Sequence, residues 1–151
     1  NADVFAALGT TIKIAKTKEN QRKIDLGYTI NFAKMCEGRV KSFNVVSAIA
    51  ANSRSKSFYS SLKGELEEQL QKMNLGTLRI YRPSLLIAKR VDKRMMEGFF
   101  IKLSPILKFI LHGKFKKYSP IEVGLLGKEI VRFAIEYKEK GIYTYSDFKE
   151  A

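Results

Sequence analysis

Residues 42–63 read SFNVVSAIAANSRSKSFYSSLK, and this stretch decides the fold class. Its first six residues form a short run rich in apolar and β-branched side chains, which indicates a buried strand. A helix is predicted from Ser57 to Met73, with Gly76 as the stop signal past its end. A buried strand followed by a helix is the repeating unit of α/β folds, so the stretch predicts a protein of this class.

The same alternation continues on both sides of this stretch. Upstream, residues 3–8 are an apolar run that indicates a strand buried on both faces, and residues 18–37 are predicted to be a helix. Apolar side chains recur along this helix at the spacing of one face, at Ile24, Tyr28, and Phe32 or Met35. Downstream, residues 77–81 indicate a third strand, which Pro83 ends. The order of strand, helix, strand, helix, strand predicts a parallel sheet with right-handed crossovers.

The sequence after Pro83 has a different pattern. Residues 95–111 are apolar and are interrupted by Pro105. Residues 120–138 indicate one amphipathic helix with a proline near its start, where proline is tolerated. A last short strand is predicted at residues 142–145.

The composition limits the classes of protein to which the chain belongs. Its 151 residues are enough for one domain with a core, and no apolar run reaches the roughly 20 residues that cross a bilayer. The single cysteine, Cys36, excludes an intramolecular disulfide and is interpreted as a small buried hydrophobe. The only histidine, His112, has no cysteine near it, so no metal site is expected. This usage is typical of a cytoplasmic protein, and we expect that location.

The formal net charge is +13, and the excess is spread along the chain. Residues 1–75 carry a net charge of +5, and residues 76–151 carry +8. Lysines make up 20 of the 28 basic residues, which is typical of a solvated surface. A nucleic-acid surface is expected to interleave arginines with aromatic side chains, and that pattern is missing. We therefore expect no nucleic-acid partner, since that interpretation rests on charge alone.

Tyr59 and Lys63 form a Tyr-x-x-x-Lys motif, which puts both side chains on one face of the predicted helix, one turn apart. An ammonium held beside the phenol favours the phenolate and is expected to lower the pKa of the tyrosine. A tyrosine tuned in this way passes a proton to a carbonyl oxygen while a cofactor supplies hydride. Ser47 ends the preceding strand, where we expect its hydroxyl to bond the same substrate oxygen.

The motif alone is weak evidence, because chance gives about one match in a chain of this composition. Tyr145 and Lys149 also have this spacing. That second pair lies at the end of the chain, with no buried strand that ends in a serine before it. The context therefore selects Tyr59 and Lys63.

The other two predicted strands also lead into stretches that suit a ligand. The first strand runs into LGTT, residues 8–11, where glycine lets the backbone approach a ligand and two hydroxyls supply contacts. A plain connecting loop is the alternative interpretation. The third strand runs into YRPSLL, residues 81–86, where Pro83 fixes the turn. Arg82 either contacts the ligand or is the structural partner of an acid, and both interpretations stay open.

In this order, LGTT, VVS, YxxxKGELE and RPSLL resemble the motifs of the atypical short-chain dehydrogenase/reductases related to the Tat-interacting oxidoreductase. The resemblance runs from about Asp3 to Asp147, nearly the whole chain. It implies an α/β fold with a Rossmann-type, doubly wound parallel sheet, of which this chain supplies the C-terminal portion. On this basis, residues 1–90 are the C-terminal half of a Rossmann-like NAD(P)-binding domain. Residues 91–151 are then a small, mostly helical substrate-binding region packed on it.

The resemblance also implies the site and the cofactor. Ser47, Tyr59 and Lys63 would form the catalytic triad. The residues implied to contact the cofactor are Leu8, Gly9, Thr10, Thr11, Lys63, Pro83 and Leu85. Members of the family bind NADP or NAD, and NADPH is favoured here. Such dehydrogenases build their substrate pocket or lid from segments like residues 99–117, and we favour that role over a helix lying on a membrane surface.

One departure from the family is large. Its members begin with a strand and a Gly-x-x-Gly-x-x-Gly turn that holds the pyrophosphate at a helix N-terminus, and this sequence has no such turn. The expected remainder is roughly 60 residues, at ~30 per strand–helix unit. An apolar strand from Val4 to Leu8 is atypical of a sheet edge. We therefore expect the N-terminal remainder, or another chain, to pair beside it.

Two functions follow from the sequence. The first is an NAD(P)(H)-dependent oxidoreductase that moves hydride between nicotinamide and a small carbonyl or alcohol substrate. Tyr59 would be its acid or base, Lys63 would tune Tyr59 and hold the ribose, and Ser47 would orient the substrate oxygen. The alternative is a non-catalytic regulatory or scaffold protein that binds NAD(P)H. The complete triad favours the enzyme, because a pure binder has no need of all three residues.

Overall fold

The computed structural model describes residues 2–87, 118–136, 139 and 141–148. The strands in this part are β1 (Ala2–Ala6), β2 (Val40–Val46), β3 (Thr77–Arg82), β4 (Leu86–Ile87), β5 (Ile121–Glu122) and β6 (Gly141–Thr144). The helices are α1 (Ile12–Ala15), α2 (Lys18–Arg22), α3 (Thr29–Cys36), α4 (Phe58–Gln71) and α5 (Val123–Ile135). A π-helical stretch, Lys23–Tyr28, joins α2 to α3, and a 3₁₀ turn, Tyr145–Asp147, follows β6.

Four of the strands form one parallel sheet in the order β1-β2-β3-β6. Helices connect β1 to β2 and β2 to β3, so the predicted α/β class and parallel sheet are confirmed. The predicted helices and the last short strand are found within a few residues of their predicted bounds. β4 and β5 form a separate parallel pair. The apolar run at residues 95–111 lies outside the described residues.

Each face of the sheet carries its own core, because successive strand residues point to opposite faces. Phe43, Val45 and Ile80 share one core cluster with Ala33 of α3 and with leucines of α4. The leucines are Leu62, Leu66 and Leu70. On the other face, the buried apolar side chains are aromatic and aliphatic residues of β3, β5, α5 and the C-terminal end, namely Tyr81, Ile121, Leu126, Phe133 and Phe148.

The helix from Lys18 to Cys36 buries a different face from the predicted one. Tyr28, Phe32 and Met35 are 47%, 41% and 73% exposed, whereas Ala33 is fully buried. The buried face carries Asp25, Leu26, Thr29, Ile30, Ala33 and Cys36. The sequence has two apolar stripes here, and the one that carries Leu26, Ile30, Ala33 and Cys36 belongs to the core cluster. None of the described helices has the length and apolar character that a membrane span requires.

β1 is an edge strand of the described sheet, and it is not buried on both faces as expected. Phe5 is 47% exposed, and Ala6 is the one buried residue of this strand. The strand ends at Ala6, so Leu8 belongs to the loop that follows and is also 47% exposed. This loop leads across the end of the sheet to α1 and α2.

Candidate functional site

A cleft opens at the carboxyl ends of β1 and β2, beside the first turns of α4. We call it the lysine cleft; it is about 310 Å³ in volume. Its lining consists of Ala7, Leu8, Gly9, Thr10, Thr11, Ile14, Val46, Ser47, Tyr59, Lys63 and Leu86. The structure thus brings Ser47, Tyr59 and Lys63 together. It also brings Leu8, Gly9, Thr10 and Thr11 of the expected cofactor set to the same cleft.

The start of α4 fixes Tyr59 in this lining. Ser57 is the extended residue before the helix, and the amide of Ser61 donates to its carbonyl at 2.9 Å. At Gly64 the loop before α4 crosses the helix closely, since an added Cβ would lie 2.0 Å from the Ser53 backbone nitrogen. This contact leaves room for no side chain and holds the loop from Ser47 to α4 against the helix.

Lys63 is buried, with 3% of its surface exposed, and its ammonium donates to the Val46 carbonyl at 3.5 Å. Burial lowers the pKa of Lys63, and the carboxylates of Asp25 and Glu67 oppose that shift. An ammonium carries three donors, and one long bond leaves donor capacity in the lysine cleft.

Asp25 is the functional candidate that the sequence did not reveal. It lies in the π-helical stretch, is 1% exposed, and accepts a bond from the Thr10 amide at 2.7 Å through Oδ1. Oδ2 has no hydrogen-bond partner. A Cβ added at Gly9 would lie 4.0 Å from this oxygen and 3.9 Å from Nζ of Lys63, so Gly9 lies against both groups. Burial raises the pKa of Asp25, against the Thr10 bond and the charge of Lys63. The detectable signal was a lone acid between apolar positions of a helix.

The electrostatics of Tyr59 differ from the expectation. Its pKa is raised, first by burial and second by the charge of Asp25, although its side chain is 43% exposed. The expectation that Lys63 lowers the pKa of Tyr59 is therefore wrong for this structure. The charge of Asp25 raises the pKa of the phenol, which is the opposite of the effect expected from Lys63.

Ser47 is also held differently from the expectation. Its hydroxyl donates to the carboxylate of Glu67, which is buried on α4. Arg82 donates to the same carboxylate through Nε at 3.0 Å and through Nη2 at 2.5 Å. Of the two interpretations of Arg82, the structural partner of an acid is the one observed. Because the Ser47 proton is committed to Glu67, its oxygen offers lone pairs to the cleft.

Two expected cofactor contacts are not in the lining of the lysine cleft. Pro83 is buried, and its carbonyl accepts a bond from the Ile49 amide at 2.9 Å. Leu85 is 55% exposed, and its carbonyl accepts from the Ile121 amide at 3.0 Å. Leu86 contributes to the lining instead.

The lysine cleft has the groups that a sugar hydroxyl pair needs. Nζ of Lys63 and the buried Oδ2 of Asp25 lie 3.9 Å and 4.0 Å from the same point, the position of a Cβ added at Gly9, and of the two residues Lys63 is the one that lines the cleft. A ribose offers adjacent hydroxyls that both donate and accept, so the ammonium of Lys63 and the hydroxyl groups of the lining fit the ribose of a dinucleotide. Among the described residues, no group of histidine, cysteine and acidic side chains is arranged to hold a metal ion.

A second cleft of about 480 Å³ lies beside the first, and we call it the apolar cleft. Its lining consists of Thr10, Thr11, Ile12, Lys18, Gln21, Ser57, Phe58 and Tyr59. Thr10, Thr11 and Tyr59 line both clefts, so Tyr59 stands at their junction.

Comparisons with known proteins identify relatives whose names state no activity. No protein-family model matches the chain. Protein FMP52-1 of Scheffersomyces stipitis, named mitochondrial, is 34% identical over 97% of this chain and 65% of its own length. Protein FMP52 of Meyerozyma guilliermondii is 36% identical over 70% of this chain and 47% of its own length. The Candida albicans FMP52 protein is 31% identical over 94% and 61%. The chain thus spans about two thirds or less of the relatives it matches.

A solved structure supports the fold. The crystal structure of the human epimerase family protein SDR39U1 (isoform 2) with NADPH matches with a TM-score of 0.60, over 97% of this chain and 60% of that chain. At 14% identity, this likeness shows a shared α/β fold. All three relatives above are named mitochondrial, so the expectation of a cytoplasmic protein is wrong. Cysteine usage does not separate these two compartments.

Proposed function

We propose that this chain is the catalytic portion of an NAD(P)(H)-dependent oxidoreductase of the short-chain dehydrogenase/reductase type. The observation that carries the proposal is the lysine cleft, where Tyr59 lies one helical turn from the buried ammonium of Lys63. That ammonium makes one long bond, to the Val46 carbonyl, and its remaining donors are suited to a ribose hydroxyl. The fold shared with an NADPH-bound protein supports the choice of cofactor class and favours NADPH.

The chain's own residues would handle the substrate oxygen and its proton. When bound, a nicotinamide supplies hydride to the reacting carbon or removes it. In the reducing direction, Tyr59 donates its phenolic proton to the carbonyl oxygen, which leaves an alcohol and a phenolate. Lys63 stabilises that phenolate with its positive charge, and water then returns a proton to Tyr59. The raised pKa of Tyr59 keeps the phenol protonated, which suits an acid in this direction.

Ser47 would act as an acceptor in this site. Its hydroxyl proton lies on the bond to Glu67, so the oxygen accepts a bond from the hydroxyl of an alcohol substrate or product. Ser47 would thereby orient the reacting oxygen toward Tyr59. The Glu67–Arg82 ion pair holds the serine in that state.

A further strand is proposed beside β1. The outer edge of β1 has no neighbouring strand within the described sheet, and its residue Phe5 is about half exposed. An open, partly apolar edge is a template for strand pairing. The occupant is an N-terminal segment of the whole protein or another chain. Either would complete the cover that the dinucleotide-binding fold requires.

The test is cofactor binding and turnover in the whole protein. NADPH and NADH are titrated by fluorescence, and a panel of aldehydes, ketones and alcohols is assayed at 340 nm. Tyr59→Phe is expected to lower kcat by at least about 100-fold while the dissociation constant of NADPH stays within about twofold. Tyr118→Phe, a change at a tyrosine outside both clefts, is the matched control. Equal turnover by Tyr59→Phe and the parent protein would remove the tyrosine from the mechanism.

A second function has its own supporting observations. The raised pKa of Tyr59 and the commitment of the Ser47 proton to Glu67 are both compatible with a non-catalytic protein that senses NAD(P)H. Such a regulator binds NADPH with no turnover of any carbonyl in the panel. In that case, Lys63→Gln weakens binding and Tyr59→Phe has no consequence.

A further inference from the structure

The apolar cleft differs from the lysine cleft in its chemistry. The surface that faces it is mostly carbon, contributed by Ile12, Phe58 and the ring of Tyr59. Among the described residues of its lining, Lys18 is the one charged side chain and none is an acid. Its volume is within the range of pockets that enclose a small organic ligand. A ligand here would meet an apolar wall and a single positive charge.

Two of its apolar residues meet water in the structure as it stands. Ile12 is 49% exposed and Tyr59 is 43% exposed. Covering such surface with an apolar body removes it from water, which favours binding.

Lys18 is set at the cleft by its own contacts. Its Nζ lies 5.6 Å from the centroid of the Phe58 ring, so the charge sits over the aromatic wall. Thr17 caps the start of the helix that carries Lys18, by accepting from the Asn20 amide at 3.1 Å. A cation that rests on an apolar wall is suited to the anionic end of a molecule whose body lies on that wall.

Tyr59 connects this chemistry to the reacting oxygen. It lines both clefts, whereas Lys63, Leu8 and Gly9 line only the lysine cleft. A molecule in the apolar cleft therefore reaches the tyrosine from a cleft that the lysine does not line. That arrangement separates a cofactor site from a substrate site with the acid between them.

We propose that the apolar cleft binds the substrate, and that the substrate is a carbonyl compound or alcohol with an apolar body and an anionic group. The body lies against Ile12 and Phe58, the anionic group pairs with Lys18, and the reacting oxygen meets Tyr59. The reaction part of this inference rests on the proposed oxidoreductase function. The binding part stands on the cleft itself.

Binding is tested with two fluorescent probes that share an aromatic body. One is 8-anilinonaphthalene-1-sulfonate, which is anionic, and the other is N-phenyl-1-naphthylamine, which is neutral. Lys18→Gln is expected to raise the dissociation constant of the anionic probe about fivefold and to leave the neutral probe within about twofold. Ile12→Asn is expected to weaken both probes, and the exposure of Ile12 makes this variant compatible with folding. Lys13→Gln, a lysine of α1 outside the lining, is the charge-matched control and is expected to change neither.

The outcomes separate this inference from the proposed function. The assignment of Lys18 is wrong if Lys18→Gln weakens the binding of both probes equally. It is also wrong if Lys13→Gln weakens the binding of the anionic probe as much as Lys18→Gln does. If Ile12→Asn leaves the dissociation constants of both probes unchanged, the apolar cleft is not the binding site.

Turnover adds a second readout with a medium-chain oxo acid and its methyl ester. Lys18→Gln is expected to lower the ratio of kcat/KM for acid over ester about fivefold, mainly through KM. If the protein turns over both the acid and the ester and Lys18→Gln leaves their kcat/KM ratio unchanged, this inference is wrong and the proposed oxidoreductase function is retained. If Lys18→Gln weakens only the anionic probe and the protein turns over neither compound, the oxidoreductase function is wrong and the binding site in the apolar cleft is retained.

Discussion

Two helices place titratable side chains in and around the lysine cleft, and they do so in different ways. On α4, Tyr59, Lys63 and Glu67 follow one another at intervals of four residues, so a single stripe of a regular helix carries all three. The helix from Lys18 to Cys36 supplies Asp25 from its π-helical stretch, where backbone bonds run from i to i+5. A regular spacing allows site residues on a helix to be predicted from the sequence. Where the helical period changes, as in the π-helical stretch, the sequence spacing no longer predicts which side chain faces the site.

The largest expected effect concerns the close crossing on α4. Gly64→Ala would put a Cβ 2.0 Å from the Ser53 backbone nitrogen, and backbone on both sides leaves no flexible group to yield. We expect a loss of at least about 3 kcal/mol in the free energy of unfolding, or no folded protein. Urea denaturation of the whole protein measures it.

The control for this change is a second helical glycine. Gly127 of α5 has nothing within 4 Å of the position of an added Cβ. Gly127→Ala is expected to leave stability unchanged or to raise it by up to about 1 kcal/mol, through helix propensity. Similar losses in the two variants would show that the loop is not held by Gly64.

The second effect concerns the acid that completes the α4 stripe. Glu67→Gln keeps an acceptor for Ser47 but removes the charge that pairs with Arg82. Arg82 keeps 26% of its side chain exposed, so water compensates in part, and we expect a loss of about 1–2 kcal/mol. The matched control is Glu68→Gln, an exposed neighbour on the same helix, with a change within about 0.5 kcal/mol. If both variants lose the same stability, the Ser47–Glu67–Arg82 contact has no special role.

A third and smaller effect concerns the π-helical stretch. The pKa of Asp25 is higher in the folded protein than in the unfolded chain. The protonated side chain therefore favours the folded state, fully so at a pH below the unfolded pKa. This contribution to the free energy of unfolding is lost as the pH rises through the folded pKa. Asp25→Asn removes this titration and keeps the acceptor for the Thr10 amide. The variant is expected to lose less stability than the parent between pH 4 and pH 7, measured by urea denaturation at each pH. If the free energy of unfolding changes with pH by the same amount in Asp25→Asn and in the parent protein, burial does not raise the pKa of Asp25.

The same variant is expected to act on Lys63. Asp25 opposes the fall in the pKa of Lys63, so its loss should lower that pKa further. Carbon-13 NMR of the lysine Cε signals follows the titration, and Lys63→Arg identifies the resonance. A constant Lys63 pKa would mean that the two groups do not interact.

The sequence predicted the parts of the molecule whose periods are uniform. Apolar runs and terminal glycines located the strands and α4, and the four-residue spacing identified Tyr59 and Lys63. Three features depend on contacts between distant segments: the bond from Ser47 to Glu67, the inward turn of Asp25, and the apolar cleft between α2 and α4. Helical spacing also did not decide which of two apolar stripes of one helix is buried, because the choice depends on packing against the sheet, which the spacing does not encode.

The smallest expected effect tests that selection. Met35 is 73% exposed on the stripe that the sequence favoured, whereas Ile30 is 7% exposed on the stripe that is buried. Met35→Gln is expected to change the free energy of unfolding by less than about 0.5 kcal/mol, because most of the Met35 surface already meets water. Ile30→Ala serves as the buried control, with a loss of about 2–5 kcal/mol from the deleted methyl groups and the cavity they leave. Urea denaturation compares the two. A large loss in Met35→Gln with a small one in Ile30→Ala would return the helix to the face that its sequence favoured and would move Asp25 away from the lysine cleft.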